Sequence, residues 1–521
     1  MKYLNKIIEY GLYLLVFLLP VQTRWIIKAG ELNGGYWEYG TISLYATDIL
    51  LILLLFLFVA NKLFYSKFLI SPAVAPQMRG QGGDNSKFFP QKRDPAKAVI
   101  NKSKTAIYWW LILGLVVSIF ISIFFADNKL IAIYSYLRLL LGIGLFWLIV
   151  SSGYNKLKLI WSLLLSIFFQ SGLAIWQFLN QSSFAFKWLG LALHQAQDLG
   201  TSVIETMGGE GIGERWLRAY GGLDHPNMLG GLLVVGLLLA IGLIVKVIQA
   251  NNFQFFSRSD FSELSSGLSL RTEGSRTEFG TKAIFPATMG PRQSDGNFQF
   301  KKFKLIISIV YWLTIILFFI ALIFSFSRAA WLAFFVAVFI LLTQALVKKD
   351  LLLQKKLLEI ILILGIVLFI LSNLYQNLFL IRTLQNQRLE IKSYEERILS
   401  YKDFWQIIKN HWLVGTGIGN YTLVLHDQIT NNYNSFYYQP IHNVFLLILA
   451  ETGIISFIFF ISLIIYLLMI NFKFNNFNLS ILIIIIFIML LDHWWWSLHF
   501  GVLFFWLLSG LVIKSSHQNI I

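Results

Sequence analysis

At residues 439–446 the chain reads Gln439-Pro440-Ile441-His442-Asn443-Val444-Phe445-Leu446, and apolar residues continue without a break after Asn443. His442 therefore stands immediately before a segment apolar enough to cross a membrane. This stretch ends a longer one, 394–453, which opens with a helical pattern around Arg397 and contains a glycine turn at 415–419. The arrangement predicts a basic, nucleophile-activating site at one membrane face.

The composition sets the class of protein. Of 521 residues, 57% are hydrophobic and only 13% are charged, which is too apolar for a soluble core and indicates a polytopic membrane protein. The apolar run after Lys6 is long enough to stay in the membrane, so it predicts an anchor and not a removed signal peptide. The chain contains no cysteine, which excludes disulfides and thiolate nucleophiles or metal ligands.

Twelve apolar runs approach the length of about 17–25 residues that a bilayer requires. The expected fold class is therefore all-α, with about 12 transmembrane helices and two folded periplasmic or external loops. The runs lie near 7–23, 45–65, 106–125, 130–150, 159–179, 228–249, 305–325, 329–347, 357–375, 443–470, 479–497 and 499–513.

Lysine and arginine are distributed unevenly between the two sides. If the amino terminus is cytoplasmic, the segments 62–104 and 246–304 both fall inside, and each carries nine basic residues. An inside excess of Lys and Arg is the usual orientation signal. The net charge of +16 then follows mostly from topology, so the expected partner is the lipid bilayer and no nucleic acid.

The polar segments differ in kind. Residues 66–105 and 250–304 are polar, with Gly/Ser-rich stretches and no periodicity, and are expected to be disordered cytoplasmic linkers. Residues 180–227 and 376–441 carry aromatic residues and are expected to be external loops folded onto one membrane domain that comprises the whole chain, 1–521. No internal repeat is evident.

The larger external loop contains a predicted amphipathic helix. Apolar residues recur there at steps of three and four, the spacing of one helix face, and this face is expected to pack on the membrane domain. The residues are Ile391, Tyr394, Ile398, Tyr401, Trp405, Ile408 and Trp412.

His442 is a candidate general base. At the first turn of a helix, the positive end of the dipole favours a neutral ring that can accept a proton. An interfacial histidine that caps the helix is an equal alternative on position alone. For Asn443, helix capping is the more common use and orientation of a sugar hydroxyl is the alternative.

Two arginines are candidates for binding phosphate through the planar guanidinium. Arg397 has no carboxylate at salt-bridge spacing, whereas Lys392 and Glu396 are spaced to pair with each other. Arg328 lies in a very short turn between two apolar runs, so its guanidinium must lie at or just inside the outer membrane face, where charges are usually functional. The alternatives are an exposed or distantly paired Arg397 and an Arg328 that extends to the lipid headgroups.

The first external loop ends in a segment whose residue types are suited to binding anions and sugars. Arginine, glycines and an Asx-Pro turn come together there, with Arg218, His225 and Asn227 as the candidate binding residues. The glycine turn 415–419 resembles a nucleotide fingerprint but lacks a βαβ context, so it predicts a helix stop and a loop.

Other ionisable residues lie in or beside the apolar runs. Arg138 and Glu451 fall inside predicted helices and are expected to partner polar groups in the bundle. Asp492 and His493, near a helix end, are expected to be interfacial. No clustered His/carboxylate motif is visible in the sequence, so neither a metal site nor a cofactor is expected.

In order and spacing, four motifs resemble the O-antigen ligase and O-antigen polymerase superfamily. They are Arg218…Gly222…His225-Pro226-Asn227, Ser327-Arg328-Ala329-Ala330-Trp331, Glu396-Arg397…Trp405…Gly415-Thr416-Gly417-Ile418-Gly419 and His442-Asn443…Glu451-Thr452-Gly453. The resemblance covers most of the membrane domain but neither inside linker, which look like insertions.

The resemblance implies a metal-independent, inverting glycosyltransferase in a bacterial inner (plasma) membrane. It would move a glycan from undecaprenyl diphosphate to the hydroxyl of a lipid or other glycan acceptor at the periplasmic or external face. By position, His442 would activate the acceptor, while Arg328 and Arg397 would hold the diphosphate. The residues implied in substrate binding are Arg218, His225, Asn227 and Asn443.

Three other activities remain open from the sequence. A polymerase uses the same chemistry on another lipid-linked repeat, and a protein O-oligosaccharyltransferase would share all the motifs. A lipid or solute transporter would favour inverted repeats and broken midplane helices. Neither is visible, and the polar residues cluster at one face instead.

Overall fold

The fold is known from a computed structural model, which describes residues 2–70, 95–198, 200–206, 213–251, 293–384, 387–428, 433–474 and 476–518. These residues are mostly helical, as expected, and they also form three small two-stranded antiparallel sheets.

The helices are numbered in chain order. They are α1 Lys2–Leu18, α2 Ala46–Ile70, α3 Pro95–Ser122, α4 Lys129–Ser151, α5 Lys156–Asn180, α6 Pro226–Asn251, α7 Gln293–Phe324, α8 Arg328–Val347, α9 Leu351–Leu374, α10 Gln376–Leu384, α11 Arg388–His411, α12 Tyr421–Gln428, α13 Val444–Phe474, α14 Asn476–Met489, α15 Trp494–Ser497 and α16 His499–Gln518.

The strands lie in the connections at one end of the helices. Strand β1 pairs with β4, β2 with β3 and β5 with β6. Their bounds are β1 Arg24–Lys28, β2 Glu31–Leu32, β3 Gly35–Tyr36, β4 Ile42–Tyr45, β5 Val203–Glu205 and β6 Arg215–Leu217.

Eight of the described helices are long and apolar enough to cross a membrane, namely α2, α3, α4, α5, α6, α8, α9 and α13. Shorter apolar helices lie within α7, α14 and α16. The structure thus supports a polytopic membrane protein, and the expected number of about 12 spans stays a prediction. The burial of the apolar segments places helix α6 at the centre of the bundle. In α6, 83% of the membrane-spanning residues are buried, compared with 22% in α9.

The run predicted at 479–497 is interrupted. Helix α14 ends at Met489, and the chain turns before the short helix α15 begins at Trp494. Asp492 and His493 occupy this turn and are buried within the protein, with 4% and 6% exposure, and their position at the membrane interface stays a prediction. Contacts with other segments enclose them, as described below.

The linkers predicted at 66–105 and 250–304 lie largely outside the described residues. Residues 95–105 and 293–304, however, begin α3 and α7. Both helices therefore begin earlier than the apolar runs from which they were predicted. Hydropathy marks only the apolar part of a helix, and here polar residues before that part are also helical.

Helix α11 packs with a face rotated by about one residue from the one predicted. Of the apolar positions expected inside, only Ile408 is buried. The exposed ones are Ile391, Tyr394, Ile398, Tyr401, Trp405 and Trp412. The inner face instead buries Glu390, Phe404 and Ile407, because arginines on neighbouring elements provide ionic partners for its first turn.

Backbone contacts join α13 both to the glycine turn 415–419, where the Thr416 amide donates to the Ala450 carbonyl oxygen at 2.9 Å, and to residues 412–413 just before it. Gly453 interrupts α13 with φ 75°, and a Cβ placed there would lie 2.1 Å from the carbonyl oxygen of Leu413. The amide of Ile454 donates to the carbonyl oxygen of Trp412 at 2.9 Å. Only glycine permits both this conformation and this approach.

Candidate functional site

His442 lies just outside α13 and is held there by the helix cap. The Asn443 side-chain oxygen accepts from the Leu446 amide at 3.1 Å, and its Nδ2 donates to the Leu490 carbonyl oxygen at 3.4 Å. Capping, the more common use of asparagine at this position, is therefore the observed one. The contact with Leu490 also ties the start of α13 to the turn after α14.

His442, Asp492 and His493 form one cluster. A potential ligand atom from each residue lies within 4.8 Å of the others, and the two imidazole rings cross at 78° with centroids 5.1 Å apart. The expectation that no His/carboxylate cluster exists is therefore wrong. The turn between α14 and α15 brings Asp492 and His493 to His442 from far along the chain.

A hydrogen-bond relay fixes the Asp492 carboxylate. Its Oδ1 accepts from the amide of His493 at 2.8 Å, and its Oδ2 accepts from Asn227 Nδ2 at 2.7 Å. Asn227 Oδ1 in turn accepts from Arg218 at 2.8 Å, and Arg218 Nε donates to the carbonyl oxygen of Ser325 at 2.9 Å. Arg218 is buried. Hydrogen bonds thus connect Arg218 and Asn227 to the cluster through Asp492.

His225 lies beside this relay with both ring nitrogens engaged. Nδ1 accepts from the Asn227 amide at 3.1 Å, and Nε2 lies 3.1 Å from the Ser202 hydroxyl. This pattern fits a neutral ring with its proton on Nε2. Burial lowers the pKa of His225, and the charge of Arg218 lowers it further, so the neutral form is favoured.

The electrostatics of His442 also favour a neutral ring. Burial lowers its pKa, His493 and Arg397 lower it further, and Asp492 acts in the opposite direction. His442 Nδ1 is buried and has no hydrogen-bond partner among the described residues. For Asp492, burial acts to raise the pKa, but the adjoining His493 and His442 lower it more, so the carboxylate is ionised at neutral pH.

A second cluster places arginines around Glu390 at the start of α11. Arg328 is the first residue of α8, and its Nη1 lies 3.1 Å from Glu390 Oε2. Arg382 on α10 pairs with the other carboxylate oxygen and donates through Nε to the Phe326 carbonyl oxygen at 3.0 Å. The Arg328 contact lacks hydrogen-bond geometry, and this side chain is 29% exposed. Arg328 therefore keeps donors for a ligand.

Arg397 lies between the two clusters on the inner face of α11. Its charge acts on His442 and Asp492 on one side and on Arg382 on the other. Within the described residues it forms no ion pair, whereas Lys392 and Glu396 pair at 3.7 Å as predicted. The structure thus brings Arg328, Arg397 and His442 to one end of the bundle.

The charged residues inside predicted helices find polar partners, as expected. Trp496 Nε1 donates to Glu451 Oε2 at 2.8 Å, and Arg138 donates to the Ser497 carbonyl oxygen at 2.9 Å. Arg138 and Glu451 line a small cavity together with Pro440, two residues before His442. The cavity adjoins the histidine cluster, because Tyr39 lines it and lies against the His493 ring with centroids 5.9 Å apart.

Comparison with known families matches residues 313–461 to the family model described as O-antigen ligase. The matched range contains Arg328, Arg397 and His442. The relay residue Asn227 and the turn 492–493 lie outside it. No curated protein matches the chain.

Proposed function

The chain is related to the O-antigen ligase family through residues 313–461, and on this premise we propose that it transfers a glycan from undecaprenyl diphosphate to an acceptor hydroxyl. Members of this family are glycosyltransferase-like membrane enzymes. The observation that carries the proposal is that His442, in its cluster with Asp492 and His493, lies at the same end of the membrane helices as Arg328 and Arg397. In this arrangement the histidine can accept the proton of the acceptor hydroxyl while the arginines bind the diphosphate of the donor.

The arginines meet the charge that develops on the leaving group. As the bond between the anomeric carbon and the diphosphate oxygen breaks, negative charge grows on that oxygen. Arg328 and Arg397 would stabilise this charge more strongly in the transition state than in the ground state. The ion pair with Glu390, whose other oxygen is bound by Arg382, keeps the Arg328 guanidinium at this end of the bundle.

His442 completes the reaction from the other side. The acceptor oxygen forms a bond to the anomeric carbon while its proton passes to His442, and the lipid diphosphate departs with the electrons of the broken bond. Attack opposite the leaving group inverts the anomeric carbon. Asp492 would stabilise the imidazolium that forms, while Arg218 and Asn227 keep its carboxylate in position.

An apolar groove supports a lipid-linked donor. It lies between α7, α8, α9 and α10 and is lined by Phe319, Phe335, Leu368 and other apolar residues. Its lining includes Trp331, one turn from Arg328, and Phe379, one turn from Arg382. A polyprenyl tail in this groove would place its diphosphate beside the arginines.

The test is a transfer assay with the purified full chain in lipid nanodiscs. A lipid-diphosphate oligosaccharide is supplied with lipid-linked glycan, lipid core oligosaccharide or protein acceptors, and products are identified by mass. The proposal predicts an acceptor heavier by one donor glycan and release of the lipid diphosphate. A protein that moves the donor across a bilayer without joining it to any acceptor would instead be a transporter.

A further inference from the structure

We propose that His442, Asp492 and His493 form a site for a divalent transition-metal ion of the Zn²⁺ class, and that a metal ion bound there blocks the glycan transfer. The binding site follows from the side-chain geometry alone. The inhibitory effect rests on the proposed function, because it depends on His442 acting as the base.

His493 presents a free lone pair to the cluster. The Ser497 hydroxyl donates to the His493 carbonyl oxygen at 3.1 Å, so it accepts from His493 Nδ1 at 2.7 Å. The proton then lies on Nδ1 and the lone pair on Nε2. Histidines that bind metals are commonly fixed in this way through their other nitrogen.

Asp492 and His442 supply the remaining ligands. Each carboxylate oxygen of Asp492 accepts one hydrogen bond, from Asn227 or from the His493 amide, and keeps a second lone pair. His442 Nδ1 is buried without a hydrogen-bond partner in the described part of the chain. His225 is not a ligand, because both of its nitrogens are engaged.

Two imidazoles and one carboxylate are a ligand set that holds zinc with a fourth position open. The three potential ligand atoms lie within 4.8 Å of one another. Zinc bonds of about 2.0–2.2 Å in a tetrahedral site place ligand atoms about 3.4 Å apart, so the most distant pair must approach by up to about 1.5 Å, which side-chain rotation can supply. Asn227 and Ser497 already orient two of the three ligands.

A metal ion in this site would compete directly with the reaction. It would occupy the lone pair through which His442 accepts the acceptor proton. It would also neutralise the carboxylate that supports the imidazolium. Zn²⁺ is therefore expected to inhibit transfer, and its removal by a chelator is expected to restore the rate.

The binding test uses the full chain in nanodiscs, purified without a polyhistidine tag and stripped with chelator. Zn²⁺ is titrated by calorimetry, and Co²⁺ is titrated by its visible absorption. The parent and the control His411→Ala, on α11 outside the cluster, should each bind one ion. His493→Gln and Asp492→Asn should bind at least about tenfold more weakly, and Mg²⁺ should not bind, since it prefers oxygen ligands.

Three results would overturn the proposal: a parent that binds no Zn²⁺, cluster variants that bind it like the control, and transfer that is unaffected when the site is filled. His493→Gln keeps the test valid if melting shows that Asp492→Asn is unfolded. A parent that binds one Zn²⁺ through the cluster but transfers no glycan without metal would retain the site and disprove the proposed function.

Discussion

Asp492 is the residue around which the polar groups of the site are ordered. Its two oxygens connect the Asn227 amide to the turn that carries His493, and the ring of His442 lies alongside. A carboxylate buried to this degree requires charge or hydrogen-bond partners, and here it has both. The arginines form a separate group around Glu390, with Arg397 between the two.

At the residue scale, Arg328→Lys and Arg397→Lys are expected to lose activity although the charge is kept, because a lysine cannot offer a planar two-pronged contact to a diphosphate. Each should cost about 1–3 kcal/mol of transition-state binding, measured as kcat/KM with lipid-linked donor. The matched control is Arg388→Lys on α11, whose exposed side chain pairs with Glu205 at 2.8 Å. Parental kcat/KM in both lysine variants would make the two arginines structural.

At the element scale, the helices and the candidate residues His442 and Arg328 could be predicted from the sequence. The packed face of α11 and the role of Asp492 could not. His442 and Arg328 could be found because each adjoins an apolar run, a relation visible along the chain. The packed face of α11 could not be assigned from apolar periodicity, since it is set partly by ion pairs of Glu390 with Arg328 and Arg382, which come from other elements. Asp492 was missed because its partners, Asn227 and His442, are distant in sequence.

The contact between the glycine turn and α13 provides a test at this scale. Gly453→Ala is expected to destabilise the protein by about 1–3 kcal/mol, because its Cβ would overlap the Leu413 backbone and its φ is positive. The measurement is thermal melting in detergent. Gly365→Ala on α9 is the control, since its Cβ would meet nothing within 4 Å, and its melting temperature should be unchanged or raised. Equal melting of the two variants would contradict the packing of this turn.

At the scale of the whole molecule, the helical bundle brings the ionisable residues of the candidate site together at one end. The ends of α6, α8, α13 and α14 meet there, and α11 packs against α13. The contacts of Arg218 with Ser325 and of Asn443 with Leu490 tie these helix ends together. The site therefore depends on helices distributed along most of the chain.

The orientation of the helical bundle in the membrane is a prediction from the distribution of lysine and arginine. Reporter fusions within 66–104 and 250–300 should read as cytoplasmic, and fusions within 185–210 and 380–435 should read as external. A single-cysteine labelling series at the same positions provides an independent check, since the parent has no cysteine. An external reading for either basic segment would reverse the face on which Arg328, Arg397 and His442 act.

The central claim is that neutral His442 removes the acceptor proton, and single-turnover transfer by His442→Gln tests it most directly. The variant should fold and bind lipid-diphosphate donor like the parent, yet transfer glycan at least about a hundredfold more slowly. Because burial lowers the pKa of His442, the parent rate should stay level as pH falls to the ordinary histidine value and decline only at lower pH, while the variant should lack this decline. Near-parental transfer by His442→Gln, with the same fall at low pH, would contradict the account.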